Sequence, residues 1–299
     1  MVKVGVCVCT YKRPQLLIQL LKTLNTQVNI DDIDVSFIIV NNDVESNISN
    51  HLNTLKMNNI YCYLESSQGI SNARNQCIRR CKEMQLDYLI FIDDDEWVGN
   101  DWLYNMMRAA KIFEADVVKG PVKTVYNNST PKWIIESGFY EETSYETGAI
   151  LEHCASGNTL VKLGVILEND HYFDQYYGLT GGEDTKFFKG IHDCGGKIIY
   201  CREAIAYEHL HIQRETMKYM LKRLYANSIS YIKIEKEFSI NKKDIFIRIS
   251  KAILHIIMGL ASLPIQLFKG KKGIFQSLSK LVKGIGQISG LINIKINLY

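Results

Sequence analysis

Apolar runs alternate with helix-period stretches from the start of the chain. Residues 2–9 are apolar except for Lys3 and Gly5, and Thr10-Tyr11-Lys12-Arg13 then leads to Pro14, a residue suited to a helix's first turn. The spacing predicts a strand over 2–9 and a helix over 15–25. It continues with a strand over 35–40 closed by Asn41-Asn42-Asp43, a polar helix over 46–57 and a strand over 60–64. Gln68-Gly69-Ile70-Ser71-Asn72-Ala73-Arg74-Asn75 opens a helix to Glu83, and a strand follows over 88–92. Repeated β-α units predict an α/β fold with a mixed, mainly parallel sheet and helices on both faces. Ligands of such sheets bind beyond the carboxyl ends of the strands. The loops at 10–13, 41–43, 68–75 and 93–96 all fall at that edge.

The second half is less regular. A helix over 101–114 leads to a strand over 115–119. Residues 124–149, with Trp133, Phe139, Tyr140 and Tyr145, read as a mobile loop. A turn into a strand spans 155–161, and another short strand spans 198–201. Beyond Asp244 the pattern becomes helical: Ile245, Ile249, Ile253, Ile256, Leu260, Leu263 and Leu267 recur at helix spacing, as do Ile274, Leu278, Leu281, Ile285 and Ile288. The uncharged run 252–268 has 17 residues and contains His255 and Pro264, short of the ~20 that a spanning helix needs. The tail therefore reads as basic amphipathic helices lying on a membrane surface, with a helical subdomain or an oligomer interface as the alternative. The oligomeric state is left open.

Charge sharpens this picture. The chain of 299 residues is 46% hydrophobic and carries a net charge of +3. Residues 212–299 hold 16 Lys/Arg against 4 Asp/Glu, a balance of +12, while the residues before them hold 19 against 28, a balance of −9. An acidic body with a basic tail points the tail at an anionic surface. The tail lacks interleaved stacking aromatics, which argues against nucleic acid. Eight cysteines are scattered without a Cys-x-x-Cys pair, the pattern of reduced thiols in a cytoplasmic protein. The N-terminus enters a strand at once, with no signal-peptide pattern. Neither a Gly-x-Gly-x-x-Gly after the first strand nor a P-loop is present, which argues against a dinucleotide dehydrogenase or P-loop NTPase.

The chemistry gathers at two acidic motifs. The strand over 88–92 runs straight into Asp93-Asp94-Asp95-Glu96. Four adjacent carboxylates repel one another unless a cation neutralises them. Hard oxygen donors suit Mg²⁺ or Mn²⁺ shared with substrate phosphates; a solvated acidic turn is the simpler alternative. In Gly181-Gly182-Glu183-Asp184 the glycines permit close backbone approach to a ligand, although carboxylates also favour a helix's first turn for its dipole. His209 and His211, two residues apart, either ligate a metal or cap a loop.

Taken together, Cys9-Thr10-Tyr11-Lys12-Arg13-Pro14, Asn42-Asp43, Gly69 to Asn75, Asp93 to Glu96, Gly157-Asn158 and Gly181 to Asp184 resemble a family 2 glycosyltransferase with the GT-A fold, of the bacterial surface-polysaccharide type. The resemblance covers about residues 1–225, with a nucleotide-binding half (about 1–115), an acceptor-binding half (about 116–225), and the helical region 226–299 appended. It implies that Thr10, Tyr11 and Arg13 line a nucleotide pocket with Asp93 and Asp94, that Asp43 accepts a hydrogen bond from uracil, and that Arg74 approaches the base or diphosphate. It further implies Asp95 as the metal ligand for Mn²⁺ or Mg²⁺, Asp184 as catalytic base and Glu183 as its neighbour. Gly157 and Asn158 fall on the acceptor side. The run Glu208 to Arg214 resembles a family element in which His211 and Arg214 close over the diphosphate, His209 or His211 facing the site, with His211 a further metal candidate. The implied activity is inverting transfer of a hexosyl or N-acetylhexosaminyl group from a nucleotide-sugar, a UDP-sugar by resemblance, to a saccharide acceptor. A basic tail suits a lipid-linked acceptor and a peripheral place on the inner face of the cell membrane. The alternatives are an inactive scaffold of a glycan assembly complex and a nucleotidyltransferase on a similar sheet.

Overall fold

A computed structural model of the chain describes residues 1–45, 48–52, 55, 57–178, 181–238, 242–292 and 294. They fall into two compact units. The first comprises 1–125, 142–178 and 183–209; the second comprises 126–141, 179–182 and 210–299.

The first unit is built on ten strands: β1 (Val2–Thr10), β2 (Ile33–Asn41), β3 (Ile60–Leu64), β4 (Tyr88–Asp93), β5 (Glu96–Val98), β6 (Val117–Lys119), β7 (Val122–Val125), β8 (Thr159–Lys162), β9 (Ile198–Tyr200) and β10 (Ala206–His209). Seven form one sheet in the order β3-β2-β1-β4-β8-β6-β9. The pairs β1–β2, β2–β3, β1–β4 and β6–β9 are parallel, and β8 is antiparallel to β4 and β6. The sheet is thus mixed and mainly parallel.

Side-chain alternation explains the helices on both faces. Val4, Val6 and Val8 of β1 point to one side, where they pack with α1 (Pro14–Leu24) and α4 (Trp102–Ile112). On α1, Leu17, Leu20, Leu21 and Leu24 form the buried stripe, each contributing roughly 1.5–3 kcal/mol by burial. Cys7 points to the other side, against α3 (Ile70–Glu83), α6 (Leu163–Glu168) and α7 (Glu183–Asp193). All eight cysteines are free thiols. Of the helix expected over 46–57, the structure shows only α2 (Ser49–Leu52); residues 46, 47, 53, 54 and 56 lie outside the described residues.

Three strands, β5, β7 and β10, escaped the periodicity. Glu96 does not stay in the acidic turn but begins β5, and Glu208 and His209 lie on β10 rather than in a loop. Three or four residues cannot display a period, so only pairing reveals them. β10 pairs antiparallel with β5 and parallel with β7, and the rings of Trp97 and Tyr207 stack at 5.8 Å.

The second unit joins α5 (Lys132–Ser137) to α8 (Met217–Phe238), α9 (Lys242–Leu267) and α10 (Gly270–Leu291). Residues 126–141 belong to this unit and correct the loop expectation for that stretch. They carry α5, and Trp133 and Phe139 pack on Phe275 with ring centroids 6.1 and 5.6 Å away. Trp133, Phe139 and Tyr140, which had read as loop residues, pack against its buried cluster of Ile134, Leu210, Met220 and Phe275, whereas Tyr145 is exposed and packs on Tyr200. α10 packs closely on α9 and α8 because glycines stand at the contacts: a Cβ at Gly284 would lie 2.5 Å from the Ala252 carbonyl, and one at Gly286 2.9 Å from that of Tyr225. The stretch Ile245–Leu267 of α9 is 23 residues long with mean hydropathy 1.6, long and apolar enough by length and composition to cross a membrane. The 17-residue count stopped at Lys251, whereas the helix continues N-terminally past it and Arg248.

Candidate active site

Register brings the polar loops of the first unit together. Thr10 pairs with Asn41 and Cys9 with Asp93, so β1, β2 and β4 end level with one another. Their last residues, and the turns that follow, form one rim.

At the centre of the rim the acidic turn folds back on the loop after β1. The Thr10 hydroxyl donates to Asp94 Oδ2 at 2.7 Å. Arg13 Nη2 lies 2.9 Å from Asp94 Oδ1, and Arg13 Nη1 donates to Asp95 Oδ2 at 2.7 Å. Burial pushes the Asp94 carboxyl up to about 7, against the pull of Arg13 and the Thr10 hydroxyl. Asp94 is thus an internal anchor, with no surface for a nucleotide. This corrects its expected place in the pocket lining. Tyr11 stands exposed beside it, and Lys12, at φ 58°, lies over the Tyr11 ring.

The end of β2 is stitched to the loop before α3. Asn42 Nδ2 donates to the carbonyls of Glu65 (2.8 Å) and Ser67 (2.9 Å), and its Oδ1 accepts from Gly69 N at 2.9 Å. Asp43 is buried, and its Oδ1 accepts from Glu45 N at 3.2 Å. On α3 Arg74 is only 6% exposed. It donates to Glu183 Oε1 at 2.8 Å and, more weakly, to Asp93 Oδ1 at 3.5 Å. Burial opposes the Arg74 charge, but Asp93 and Glu183 outweigh it and raise its pKa above the ordinary value. Burial and the neighbouring Asp184 raise Glu183, with Arg74 pulling the other way. Asp184, in the same first turn of α7, is partly exposed, and its Oδ1 accepts from Thr185 N at 2.6 Å. Arg74 therefore ties the turn after β4 to the start of α7.

The loop before β8 also meets the acidic turn. Gly157 sits where a Cβ would lie 2.7 Å from Glu96 Oε1 and 3.3 Å from Asp93 Oδ2. Burial, then the Asp93 charge, raises Glu96 well above the carboxylate range, with Lys119 opposing. Lys119 is buried at the end of β6, donating to the Gly157 carbonyl at 2.7 Å and lying 3.7 Å from Glu142. Sequence reasoning missed it; its one signal was a lysine inside the apolar strand Val117-Val118-Lys119. Asn158 is fully buried at φ 56°. Its Oδ1 accepts from Trp102 Nε1 at 2.6 Å, and its Nδ2 donates to the Pro121 and Ala204 carbonyls. The amide is spent on the scaffold, so Asn158 positions Gly157 and is not itself exposed to an acceptor. His209 is exposed at the end of β10, its ring 4.5 Å from that of Trp97. His211 and Arg214 belong to the second unit, at the 3-10 turn Ile212–Arg214, where Tyr140 Oη donates to the Arg214 carbonyl at 2.6 Å.

The rim offers a divalent cation few donors. Asp93 and Asp95 are hard oxygen donors; the Asp93 side chain is 46% exposed, and one Asp95 oxygen is held by Arg13. Among the described residues no group of three or more His, Cys, Asp or Glu is arranged to hold a metal. The residues fit an ion that takes one or two carboxylates from the protein and completes its shell on substrate phosphates.

Comparisons with known proteins give the family and the fold. The family model for glycosyl transferase family 2 matches residues 5–169. The succinoglycan biosynthesis protein ExoM of Rhizobium meliloti (strain 1021) is 29% identical over 226 residues, 74% of this chain and 72% of that protein. The crystal structure of S. aureus TarS 1-349 in complex with UDP-GlcNAc matches with a TM-score of 0.53 at 13% identity, covering 96% of this chain and 91% of that one. GalNAc-T7 with UDP, GalNAc and Mn²⁺ matches with a TM-score of 0.57 at 11% identity, covering 81% of this chain and 52% of that one. The two solved structures show the shared GT-A fold, and the family model, spanning more than half of the chain and the acidic turn Asp93 to Glu96 within it, makes this chain a member of glycosyl transferase family 2.

Proposed function

We propose that the chain transfers a sugar from a UDP-sugar to a saccharide acceptor in cell-surface glycan biosynthesis, with inversion at the anomeric carbon. The observation that carries the reading is the buried Arg74, bonded to both Asp93 and Glu183, which joins the two acidic motifs into one rim. The succinoglycan role in the name of ExoM and the UDP-GlcNAc bound to TarS support the substrate class.

Within that rim each residue has a chemical task. Glu183 is held by Arg74, which leaves the partly exposed Asp184 to take the proton of the acceptor hydroxyl as its oxygen attacks the anomeric carbon. A base opposite the leaving group gives in-line attack, hence inversion. Tyr11 and Arg13 flank the nucleotide, Asp43 accepts from uracil, and Arg74 sets the charge on the diphosphate side of Asp93. Asp95, with Asp93, would hold Mn²⁺ or Mg²⁺, an ion whose chemistry when bound is to neutralise charge on a leaving diphosphate. Gly157 supplies close backbone approach on the acceptor side, with His209 at its edge.

The second unit holds the enzyme on the inner face of the membrane. On α9, Phe246, Leu254, Leu260 and Ile265 are more than half exposed, an apolar surface accompanied by the basic residues of the tail. A lipid-linked acceptor follows from that location.

The test is UDP release from a panel of UDP-sugars with acceptor present, under EDTA and after added Mn²⁺, with the product's anomeric configuration read by NMR. Metal-restored turnover with inversion is expected. Asp184→Asn should lose turnover while retaining UDP binding; undiminished turnover in that variant refutes the assignment of the base.

A further inference from the structure

The second unit contains a cavity of about 450 Å³ between α8, α9 and α10. Its wall carries four basic side chains: Arg248, Lys251 and His255 from α9, at helical spacing, and Lys283 from α10. The remaining polar wall is Asn227, Ser228 and Tyr231 of α8 with Gln287 of α10. Arg248 pairs with Glu235. Arg248, Lys251 and Lys283 give the wall three permanent cations and no acid among the described residues that line it.

Three buried polar atoms of this wall, Arg248 Nε, His255 Nδ1 and Gln287 Oε1, have no hydrogen-bond partner among the described residues. Buried polar atoms are ordinarily satisfied, and an unsatisfied group costs roughly 1–3 kcal/mol. A cationic cavity with unspent hydrogen-bonding groups is a receptor for a multidentate oxyanion. The guanidinium and ammonium groups supply charge, while the imidazole and the amide, whose two ends can exchange places, supply donors.

The surrounding surface narrows the source of that oxyanion. The helix that contributes Arg248, Lys251 and His255 exposes Ile249, Ile253, Leu254, Ile257 and Met258 in the same turns. A ligand seated here meets cations and apolar surface within one helical turn of each other. The geometry points to a phospholipid: its phosphate enters the cavity between α8, α9 and α10, and its acyl chains lie along α9. The lipid part rests on the membrane reading above; the phosphate part rests on the cavity alone.

The experiment separates the two. The full chain is sedimented with phosphatidylcholine vesicles with and without phosphatidic acid, beside calorimetry with soluble glycerol phosphate. Lys251→Gln/Lys283→Gln removes two exposed cations without unpairing a buried group. Asn227→Trp blocks the cavity with its charges intact and guards against a purely electrostatic result. The wild type should prefer phosphatidic acid vesicles, and the lysine pair should weaken that preference about thirtyfold, from ~1 kcal/mol per basic residue at an anionic surface and tenfold per 1.4 kcal/mol. Asn227→Trp should weaken it by a similar factor while binding to neutral vesicles persists. An unchanged preference in Asn227→Trp overturns the site, since charge alone would then account for binding. Absence of any vesicle binding overturns both the membrane reading and the lipid. Glycerol phosphate binding that is lost in Asn227→Trp would, in that event, still uphold the cavity as a phosphate site.

Discussion

Replacing Arg74 with Met removes the one buried cation that bridges the two acidic motifs. The methionine fills much of the same volume, so the main effect is electrostatic. Glu183 is 8% exposed and loses the guanidinium at 2.8 Å. Breaking a buried pair in this way costs about 3–5 kcal/mol, because the remaining buried carboxylate has lost its neutralising charge. The lower end applies here, since Glu183 can escape by protonation: its folded pKa is already raised, and without Arg74 it rises further. The sign follows from that direction. A carboxyl with a raised folded pKa favours folding when protonated, and its contribution is lost as pH rises through the folded value. Chemical unfolding of Arg74→Met should therefore show a deficit of about 3 kcal/mol at neutral pH, a large share of an ordinary domain's stability, shrinking towards about pH 4. Adding Glu183→Gln should recover most of the deficit while leaving sugar transfer impaired. A deficit that does not change with pH, or a double variant no more stable than the single one, would refute the account of Arg74 as the neutralising bridge.

Three further perturbations test the rim. Gly157→Ala forces a methyl to 2.7 Å from Glu96 Oε1, so a loss of roughly 1–3 kcal/mol by overpacking is expected in thermal or chemical unfolding, together with reduced turnover. Asp94→Asn removes a group whose folded pKa lies at about 7, raised from 3.8; wild-type stability should fall as pH rises from about 4 to about 7, and the variant should flatten that slope in pH-dependent unfolding. Trp102→Phe leaves the buried Asn158 Oδ1 without its donor, which should cost about 1–3 kcal/mol and raise the acceptor KM more than the donor KM in steady-state kinetics; an unchanged acceptor KM would mean that Asn158 does not set the position of Gly157.

The apolar runs and their period were enough to place β1 to β4, α1 and α3, and hence the rim where the loops meet. This is local information: a strand of nine residues or a helix of fourteen displays its own period, and β-α repetition leaves few topologies. Residue type alone also marked Asp93 to Glu96 and Glu183-Asp184 as chemistry-bearing. What each carboxylate does was decided only in three dimensions. Asp94 and Asp93 are neighbours of one type, yet packing buries one against Thr10 and Arg13 and leaves the other half exposed. Arg74 and Glu183 meet across 109 positions, and Lys119 reaches Gly157 across 38; no short window of sequence contains either pair. The aromatics at 133–140 looked like a loop because their partners, among them Phe275, lie more than a hundred residues away. The cationic wall over α8, α9 and α10 was legible as charge but not as a cavity, since the period of each helix records which side is apolar and says nothing of which helix will face it. Sequence fixes periods and residue types, whereas burial, and with it the protonation and partner of each charged group, belongs to the packed fold.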